Sequence, residues 1–292
     1  MSGRLRAYLE LVRLPNTFTA AADVIAGFLF LGGGAERWGS SAILAGASAC
    51  LYGGGAALND VCDAGRDAAE RLSRPIPSGR IGRPAAIGCT LILLAVGLGA
   101  AATLSWRASG VAFLLVSCIV LYDTADKAWI AAPAIMGLCR ALNLLLGLTQ
   151  ASSTLRLESA IPVALIWMYV TSLTVFARRE AMTSRRRELL IGTLGVCTGI
   201  AGLAGLAGTG AMIYTTAFVP IAVLAFALGR LGFAAALRPE PDIVQRTVKT
   251  FVLSLVLFDA SLVWCSRGPL VALVVVMFLI PAALLSRAFR VT

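Results

Sequence analysis

Long apolar runs dominate the chain, and short charged segments separate them. A helix needs about 20 residues to cross about 30 Å of hydrocarbon. Ten runs approach that length, at residues 17–35, 40–58, 84–105, 108–122, 131–150, 160–177, 188–207, 211–233, 248–265 and 269–287. Because only residues 266–269 separate the last two runs, the pattern predicts an all-α bundle of nine to ten transmembrane helices, in one domain spanning residues 1–292.

The composition supports a membrane protein and excludes the soluble classes. Apolar residues fill 59% of the 292 positions and charged residues only 14%, so one soluble core could not bury the apolar side chains. The sequence has no histidine, which excludes imidazole ligands and histidine acid–base catalysis. Its seven cysteines are scattered without a CxxC pair and are read as small apolar residues.

Basic residues give the expected orientation. With a cytoplasmic N-terminus, the inner segments hold 20 of the 25 Lys and Arg residues and the outer segments hold four. The net charge of +10 then reflects the positive-inside bias of a multi-pass protein of the cell membrane, and no nucleic-acid partner is expected. Both termini are expected inside, with residues 1–13 as an amphipathic lead-in rather than a cleaved signal peptide.

The densest polar cluster lies at the inner end of the second run. Asp60, Asp63 and Asp67 are three and four residues apart, so a continuing helix would place them on one face. Like charges near hydrocarbon are costly unless a cation lies between them. Mg2+, which prefers oxygen ligands, would relieve that repulsion. The alternative is a solvated loop with coincidental acids.

The residues Asn59-Asp60-x-x-Asp63-x-x-x-Asp67, followed by Arg74-Pro75-x-x-Ser78-Gly79, resemble the first aspartate-rich motif of the UbiA superfamily of intramembrane prenyltransferases. The order of the runs, the inner position of the motifs and the length agree over most of the chain. The stretches 136–143 and 74–80 are similar to the EboC-like branch. The resemblance implies a UbiA-type bundle around a central cavity, which we expect to be open to the cytoplasmic side and laterally to lipid.

The residue types and the resemblance together lead us to expect roles for single residues. The expected catalytic residues are Asn59, Asp60, Asp63, Asp67 and Lys127. The expected Mg2+ ligands are Asp60, Asp63, Asp67 and Glu180. The expected substrate-binding residues are Arg71, Arg74, Ser78, Tyr122, Arg140, Asn143, Arg178, Glu180 and Asn16. Tyr122 to Lys127 resembles a family segment whose lysine contacts diphosphate, although Lys127 could instead be a topology anchor.

The sequence departs from the family at its second motif. Family members have a DxxxD motif after the sixth span, whereas residues 177–187 offer only Glu180, with Ser184 in place of the second acid. Either Glu180 holds a second Mg2+ alone, or arginines neutralise the diphosphate directly by bidentate contacts. Arg185 to Arg187 could also be topology anchors.

Three further polar residues lie in the runs or directly before them. Arg140 and Asn143 lie one turn apart in the fifth run and are expected to face the bundle interior. Arg140 is expected to contact diphosphate or acceptor, with pairing to Asp123 or Asp126 as the alternative. Asn16 matches a region that lines the acceptor site of the superfamily, and a helix N-cap would explain it as well.

The implied activity is Mg2+-dependent transfer of an isoprenyl group from an isoprenyl diphosphate to a small acceptor, after ionisation of the allylic diphosphate. The expected partners are this donor, the acceptor and the lipid bilayer. Two alternatives remain open at this point. One is an intramembrane terpene cyclase of the same fold, and the other is a non-catalytic lipid carrier.

Overall fold

A computed structural model describes residues 3–125, 129–151, 157–180 and 182–289. Within these ranges the chain forms helices and no strands. The helices are α1 (Gly3–Leu11), α2 (Leu14–Phe30), α3 (Trp38–Cys62), α4 (Ala64–Glu70), α5 (Arg83–Ala102), α6 (Trp106–Thr124), α7 (Ala132–Ala151), α8 (Leu157–Ala177), α9 (Arg186–Ala201), α10 (Phe218–Leu237), α11 (Pro241–Leu253), α12 (Leu255–Arg267), α13 (Pro269–Val276) and α14 (Leu279–Ala288). The predicted all-α class is confirmed.

Most of these helices are long and apolar enough to cross a membrane. In the described part of the chain, nine segments qualify, with α11–α12 and α13–α14 each counted as one, and α2 adds a shorter apolar helix of 17 residues. Large apolar side chains such as Leu91, Phe113, Phe226 and Leu270 are exposed on the outside of the bundle. Such a surface is stable in hydrocarbon and not in water. The chain is therefore an integral multi-pass membrane protein.

The observed helix ends differ from the predicted ones for a simple reason. The eleventh helix begins at Pro241 rather than near residue 248, and α6 covers 106–124 rather than 108–122. In both places the helix continues through polar residues, which a search for apolar runs leaves out. The prediction of a span at 211–233 is shifted, because residues 202–209 and 215–217 form tighter 3-10 turns and α10 starts only at Phe218.

Helix α2 lies at the centre of the packing. It contacts α3, α7, α12 and α14, while α5, α6, α8, α9 and α10 complete the ring through neighbouring pairs. Arg6 Nη2 donates to the Ala288 carbonyl oxygen at 3.3 Å, so the two ends of the described chain lie on one side of the bundle. The end of α3 that contacts α1 lies on this same side, together with residues 59–80. We call it the motif side.

Close contact between α2 and α7 requires glycine at two positions. A Cβ atom at Gly147 would overlap the carbonyl oxygen of Val24, and one at Gly27 would overlap the carbonyl oxygen of Leu144. Both obstacles are backbone atoms, which cannot rotate away. The two helices are therefore in backbone contact in this part of the bundle.

We expect Gly147→Ala to lower the stability of the protein by about 1–3 kcal/mol, because the helices must separate to admit the methyl group. Thermal unfolding in detergent micelles measures the change. Gly88→Ala is the matched control, since a Cβ atom there meets open space within α5, and its stability should be unchanged or slightly higher. Equal unfolding temperatures for the Gly147 variant and the wild type would contradict the close packing.

Candidate active site

A cavity of about 570 Å³ lies between the helices on the motif side. Charged and polar side chains from the ends of α3, α4, α6 and α8 line its outer part, called the mouth. The mouth residues are Arg13, Asn59, Asp63, Arg66, Asp67, Arg71, Arg74, Tyr122, Asp123, Arg178, Arg179 and Glu180. Apolar side chains, among them Leu115, Ile119, Met136 and Leu173, line the deeper walls. The cavity thus suits a molecule with an anionic head and an apolar tail.

Arg74 joins two of the motif aspartates. Its Nη1 donates to Asp60 Oδ1 and to Asp67 Oδ2, both at 2.8 Å, and all three side chains are buried. A tight turn positions this arginine, because the Ser78 hydroxyl donates to the Arg74 carbonyl oxygen at 2.7 Å and Gly79 adopts a φ of 71°. Ser78, predicted to bind substrate, is not among the residues that line the cavity. The structure gives it this turn contact instead.

The expectation of one continuous helix under the three aspartates is wrong. α3 ends at Cys62 and α4 begins at Ala64, so Asp63 lies at the junction between the two helices. Arg66 Nη2 lies 3.7 Å from Asp63 Oδ1. Asp60 is covered by arginines and does not line the cavity, whereas Asp63 and Asp67 do. Asp60 and Asp67 therefore meet at Arg74, and of the three carboxylates only those of Asp63 and Asp67 border the mouth.

Arg13 is a site residue that the sequence analysis missed. It has a φ of 50°, which is rare outside glycine, at the turn between α1 and α2. Its Nη2 lies 3.4 Å from Asn59 Oδ1 and 3.5 Å from Asp60 Oδ1. The unusual backbone conformation therefore accompanies a guanidinium group placed in the mouth.

Contacts between helix ends assemble the rest of the mouth. Asn59 Nδ2 donates to Asp123 Oδ1 at 2.8 Å, which ties the end of α3 to the end of α6. Tyr122 lines the cavity beside this pair. Lys127 and Asp126, the rest of the predicted segment, lie outside the described residues.

Glu180 occupies the place of the second family motif. Arg71 Nη2 lies 3.8 Å from Glu180 Oε1, and Oε2 is buried without a hydrogen-bond partner in the ranges described. Burial raises the pKa of Glu180 above the usual value for glutamate, and the nearby Arg71, Arg13 and Arg74 oppose that rise. Arg178 and Arg179 line the same part of the mouth. The second motif is thus mainly cationic.

The oxygen atoms of the mouth match the ligand preference of Mg2+, which takes one or two carboxylates together with phosphate oxygens. Asp60 and Asp67 are already paired around a cation, the Arg74 guanidinium, and Glu180 contributes a buried oxygen with no partner in the described residues. Within those ranges no three carboxylate or thiol groups are arranged as a preformed metal site. The carboxylates are therefore ligands of the type that Mg2+ prefers, and oxygen atoms of a bound molecule would complete its coordination.

The structure rules out two alternatives from the sequence analysis, one for Arg140 and one for Asn16. Arg140 lines the cavity and pairs with Asp23, its Nε 2.5 Å from Asp23 Oδ2, so pairing with Asp123 is wrong. Asn16 lies inside α2, which starts at Leu14, so the N-cap explanation is wrong as well. Asn16 lines the cavity and its Nδ2 donates to the Tyr52 hydroxyl at 3.1 Å.

These features define a multi-pass membrane protein with a charged, buried site above apolar walls. The model of the UbiA prenyltransferase family matches residues 21–239, and the chain belongs to that family.

A digeranylgeranylglyceryl phosphate synthase of Ignicoccus hospitalis is 45% identical over 96 residues, 33% of this chain and 31% of that protein. One from Methanopyrus kandleri is 40% identical over 124 residues, 41% of this chain and 43% of that protein. The matched segments thus span less than half the length of these two curated relatives. Six relatives match, and those compared share this name, so the comparisons do not support the narrower EboC-like resemblance.

Solved structures show the same fold. A structure described for the biosynthesis of digeranylgeranylglyceryl phosphate synthase in membranes matches with a TM-score of 0.68 at 18% identity, over 90% of this chain and 98% of that one. A UbiA homologue from Archaeoglobus fulgidus, bound to DMAPP and Mg2+, matches with a TM-score of 0.54 at 16% identity, over 91% and 99%. At such identities the likeness concerns the fold alone, and it confirms the expected UbiA-type bundle.

Proposed function

We propose that the protein is a Mg2+-dependent prenyltransferase, which moves an isoprenyl group from an isoprenyl diphosphate to a small acceptor. The observation that supports it most directly is the cavity, in which carboxylates and arginines lie above apolar walls inside a membrane bundle. A carrier for neutral lipids has no use for buried carboxylates and arginines, which are costly at the membrane. An isoprenyl diphosphate needs both the charged groups, which bind its diphosphate, and the apolar walls, which hold its hydrocarbon tail.

The arginines of the mouth bind the diphosphate in this proposal. Arg13, Arg71, Arg74 and Arg178 approach the cavity from three different segments of the chain. Guanidinium groups bind phosphate oxygens in bidentate fashion and stay charged at any physiological pH. Because the second motif is mainly cationic, these arginines replace part of the charge that a second metal would bring.

Asp60, Asp67 and Asp63 would hold Mg2+, with Glu180 as a further oxygen ligand. The bound metal supplies stabilisation of the negative charge that develops on the departing diphosphate. The A. fulgidus homologue bound to DMAPP and Mg2+ supports this assignment. Lys127 is proposed to contact the diphosphate, and Tyr122 to border its site.

The apolar walls protect the reacting carbon. Heterolysis of the allylic C–O bond transfers its electron pair to the diphosphate and leaves an allylic cation. Leu115, Ile119, Met136 and Leu173 keep water from that carbon, since water would capture the cation. A nucleophilic atom of the acceptor then forms the new bond and loses its proton.

The acceptor is proposed to enter near Asn16 and Tyr52, the polar pair on the cavity wall. The matched relatives are named for digeranylgeranylglyceryl phosphate, so a glyceryl phosphate that carries one geranylgeranyl group is the first acceptor to test. The site is proposed to face the cytoplasm from the cell membrane, because the motif side corresponds to the segments rich in Lys and Arg.

The test is Mg2+-dependent release of diphosphate by the protein in lipid nanodiscs, with a panel of isoprenyl diphosphates and with cell extract added or withheld. We expect release that depends on the extract and falls at least tenfold in Asp63→Ala, since Asp63 lines the mouth. Release without extract, yielding a hydrocarbon product, would favour a cyclase. Donor binding without any release would favour a carrier and contradict the proposal.

A further inference from the structure

Arg80 fixes the backbone on both sides of Arg74. Its Nη2 donates to the Ser73 carbonyl oxygen at 2.8 Å, and its Nε donates to the Ser78 hydroxyl oxygen at 3.0 Å. The Ser73 carbonyl belongs to the peptide group that precedes Arg74, and the Ser78 hydroxyl donates to the carbonyl oxygen of Arg74 itself at 2.7 Å. The Arg80 guanidinium group therefore closes the turn that carries the cation between two motif carboxylates.

Glu10, on α1, is the anion that holds Arg80. Arg80 Nη1 donates to Glu10 Oε2 at 2.5 Å, and in the part of the chain that the structure describes no other carboxylate lies within ion-pair distance of Arg80. The side chain of Glu10 is 13% exposed and that of Arg80 is 36% exposed, so the pair is partly shielded from water. A planar guanidinium group whose three nitrogen atoms all donate has one orientation. Without the charge of Glu10, Arg80 could turn toward solvent.

The backbone of Glu10 reaches a second arginine of the mouth. The Arg13 N–H donates to the Glu10 carbonyl oxygen at 3.1 Å, in the turn where Arg13 has a φ of 50°. Arg13 and Arg74 both contact Asp60 Oδ1, Arg13 through Nη2 at 3.5 Å and Arg74 through Nη1 at 2.8 Å. Glu10 is thus joined to both of these guanidinium groups, to one through its main chain and to the other through Arg80.

The packing of α1 does not depend on the Glu10 carboxylate. Ala7 and Leu11 of α1 are fully buried in an apolar cluster with Ile81, the residue after Arg80, and with side chains of α3. Burial of these side chains keeps α1 against the bundle whatever the charge at position 10. Loss of that charge should therefore change the orientation of Arg80 and leave the fold intact.

We propose that Glu10 is a positioning residue for the diphosphate, although it does not itself line the cavity. Through Arg80 it holds the turn of Arg74, and through its carbonyl oxygen it holds the turn of Arg13, so that both guanidinium groups border the same mouth. Bidentate binding of phosphate oxygens requires a correctly oriented guanidinium plane. The inference rests on the proposed function and extends the diphosphate site to the N-terminal helix.

The experiment measures the binding of isoprenyl thiodiphosphates, in which sulfur replaces the bridging oxygen and slows ionisation, to the protein in nanodiscs with Mg2+. Glu10→Gln keeps the size of the side chain and removes its charge. Arg80→Lys keeps the charge and loses the three-way contact, so it tests the same link should Glu10→Gln not fold. The control is Arg6→Ala, because Arg6 Nε donates to the other oxygen of Glu10 at 3.1 Å and its side chain is 58% exposed.

We expect the dissociation constant of the best-bound analogue to rise about tenfold in Glu10→Gln and in Arg80→Lys, the effect of losing one charge-assisted hydrogen bond. The double variant should bind no more than about twofold more weakly than the weaker single variant, because both changes break the same link. In turnover the KM for the donor should rise with kcat little changed, since the arginines bind the diphosphate before and during ionisation alike. Arg6→Ala should match the wild type.

Wild-type affinity in either folded single variant, or losses that multiply in the double variant, would overturn the inference and leave the proposed function intact. An equal loss in Arg6→Ala would overturn it as well, because the docking of α1 and not the contact with Arg80 would then matter. No binding of any analogue by the folded wild-type protein would contradict both the inference and the proposed function.

Discussion

Asp67→Asn is expected to lower kcat for diphosphate release by a factor of about 10²–10⁴, the effect of losing one group that stabilises charge in a transition state. Asp67 lines the mouth and shares Arg74 with Asp60. The variant therefore removes a proposed Mg2+ ligand and one of the two carboxylates that position Arg74. Turnover at saturating Mg2+ with the best donor of the panel measures the loss.

The Mg2+ dependence separates the two roles of Asp67. If the carboxylate binds the metal, the Mg2+ concentration for half-maximal rate rises in Asp67→Asn and partly recovers in Asp67→Glu. If it only positions Arg74, that concentration stays at the wild-type value. Asp242→Asn is the matched control, since Asp242 is exposed in the first turn of α11, away from the cavity lining. Full turnover by Asp67→Asn would contradict the proposed role.

Arg74 gives a physical reason to expect that the binding of the metal and the binding of the donor are coupled. Two carboxylates of like charge are stable side by side because the guanidinium group lies between them. A divalent cation that bound these oxygens would free the positive charge of Arg74 for an arriving diphosphate. Binding of metal and donor is therefore expected to be cooperative, since each supplies the charge that the other displaces.

Hydropathy was enough to predict the helices but not their ends or their contacts. The apolar runs place α5 and α7 within a few residues, because spanning helices must be apolar throughout their length. Motif spacing brought Asp60, Asp67 and Arg74 into one prediction because all three lie within one turn-connected segment. Arg13 depends on a turn between α1 and α2 whose left-handed residue has no sequence signature.

The sequence contains a signal for the buried ionisable residues Asp23 and Asp259 that the sequence analysis did not use. Asp23 and Asp259 each lie within a predicted apolar run, where an ionisable residue is rare and indicates an internal partner. The partner itself could not be identified from spacing, because Arg140 is more than a hundred residues from either of them and only the packing of α2, α7 and α12 brings them together. Asp123 was the nearer choice in the sequence and was wrong.

Arg140→Met is expected to destabilise the folded protein by about 3–5 kcal/mol, because it leaves the Asp23 carboxylate buried without its cation. Both side chains lie in the middle of the bundle, and neither Asn143 nor Asp259 brings a positive charge to replace the guanidinium group. Unfolding in mixed micelles with increasing SDS, followed by circular dichroism, measures the difference.

Replacing Asp23 and Arg140 together should change the stability of the protein much less than replacing Arg140 alone. Asp23→Leu/Arg140→Met replaces two charges by apolar side chains of similar size, and such replacements are often neutral or stabilising. We therefore expect the double variant to unfold within about 1 kcal/mol of the wild type, so that the coupling between the two positions amounts to at least about 2 kcal/mol. Additive losses, with the double variant less stable than Arg140→Met alone, would mean that the aspartate stabilises the bundle through other contacts than this ion pair.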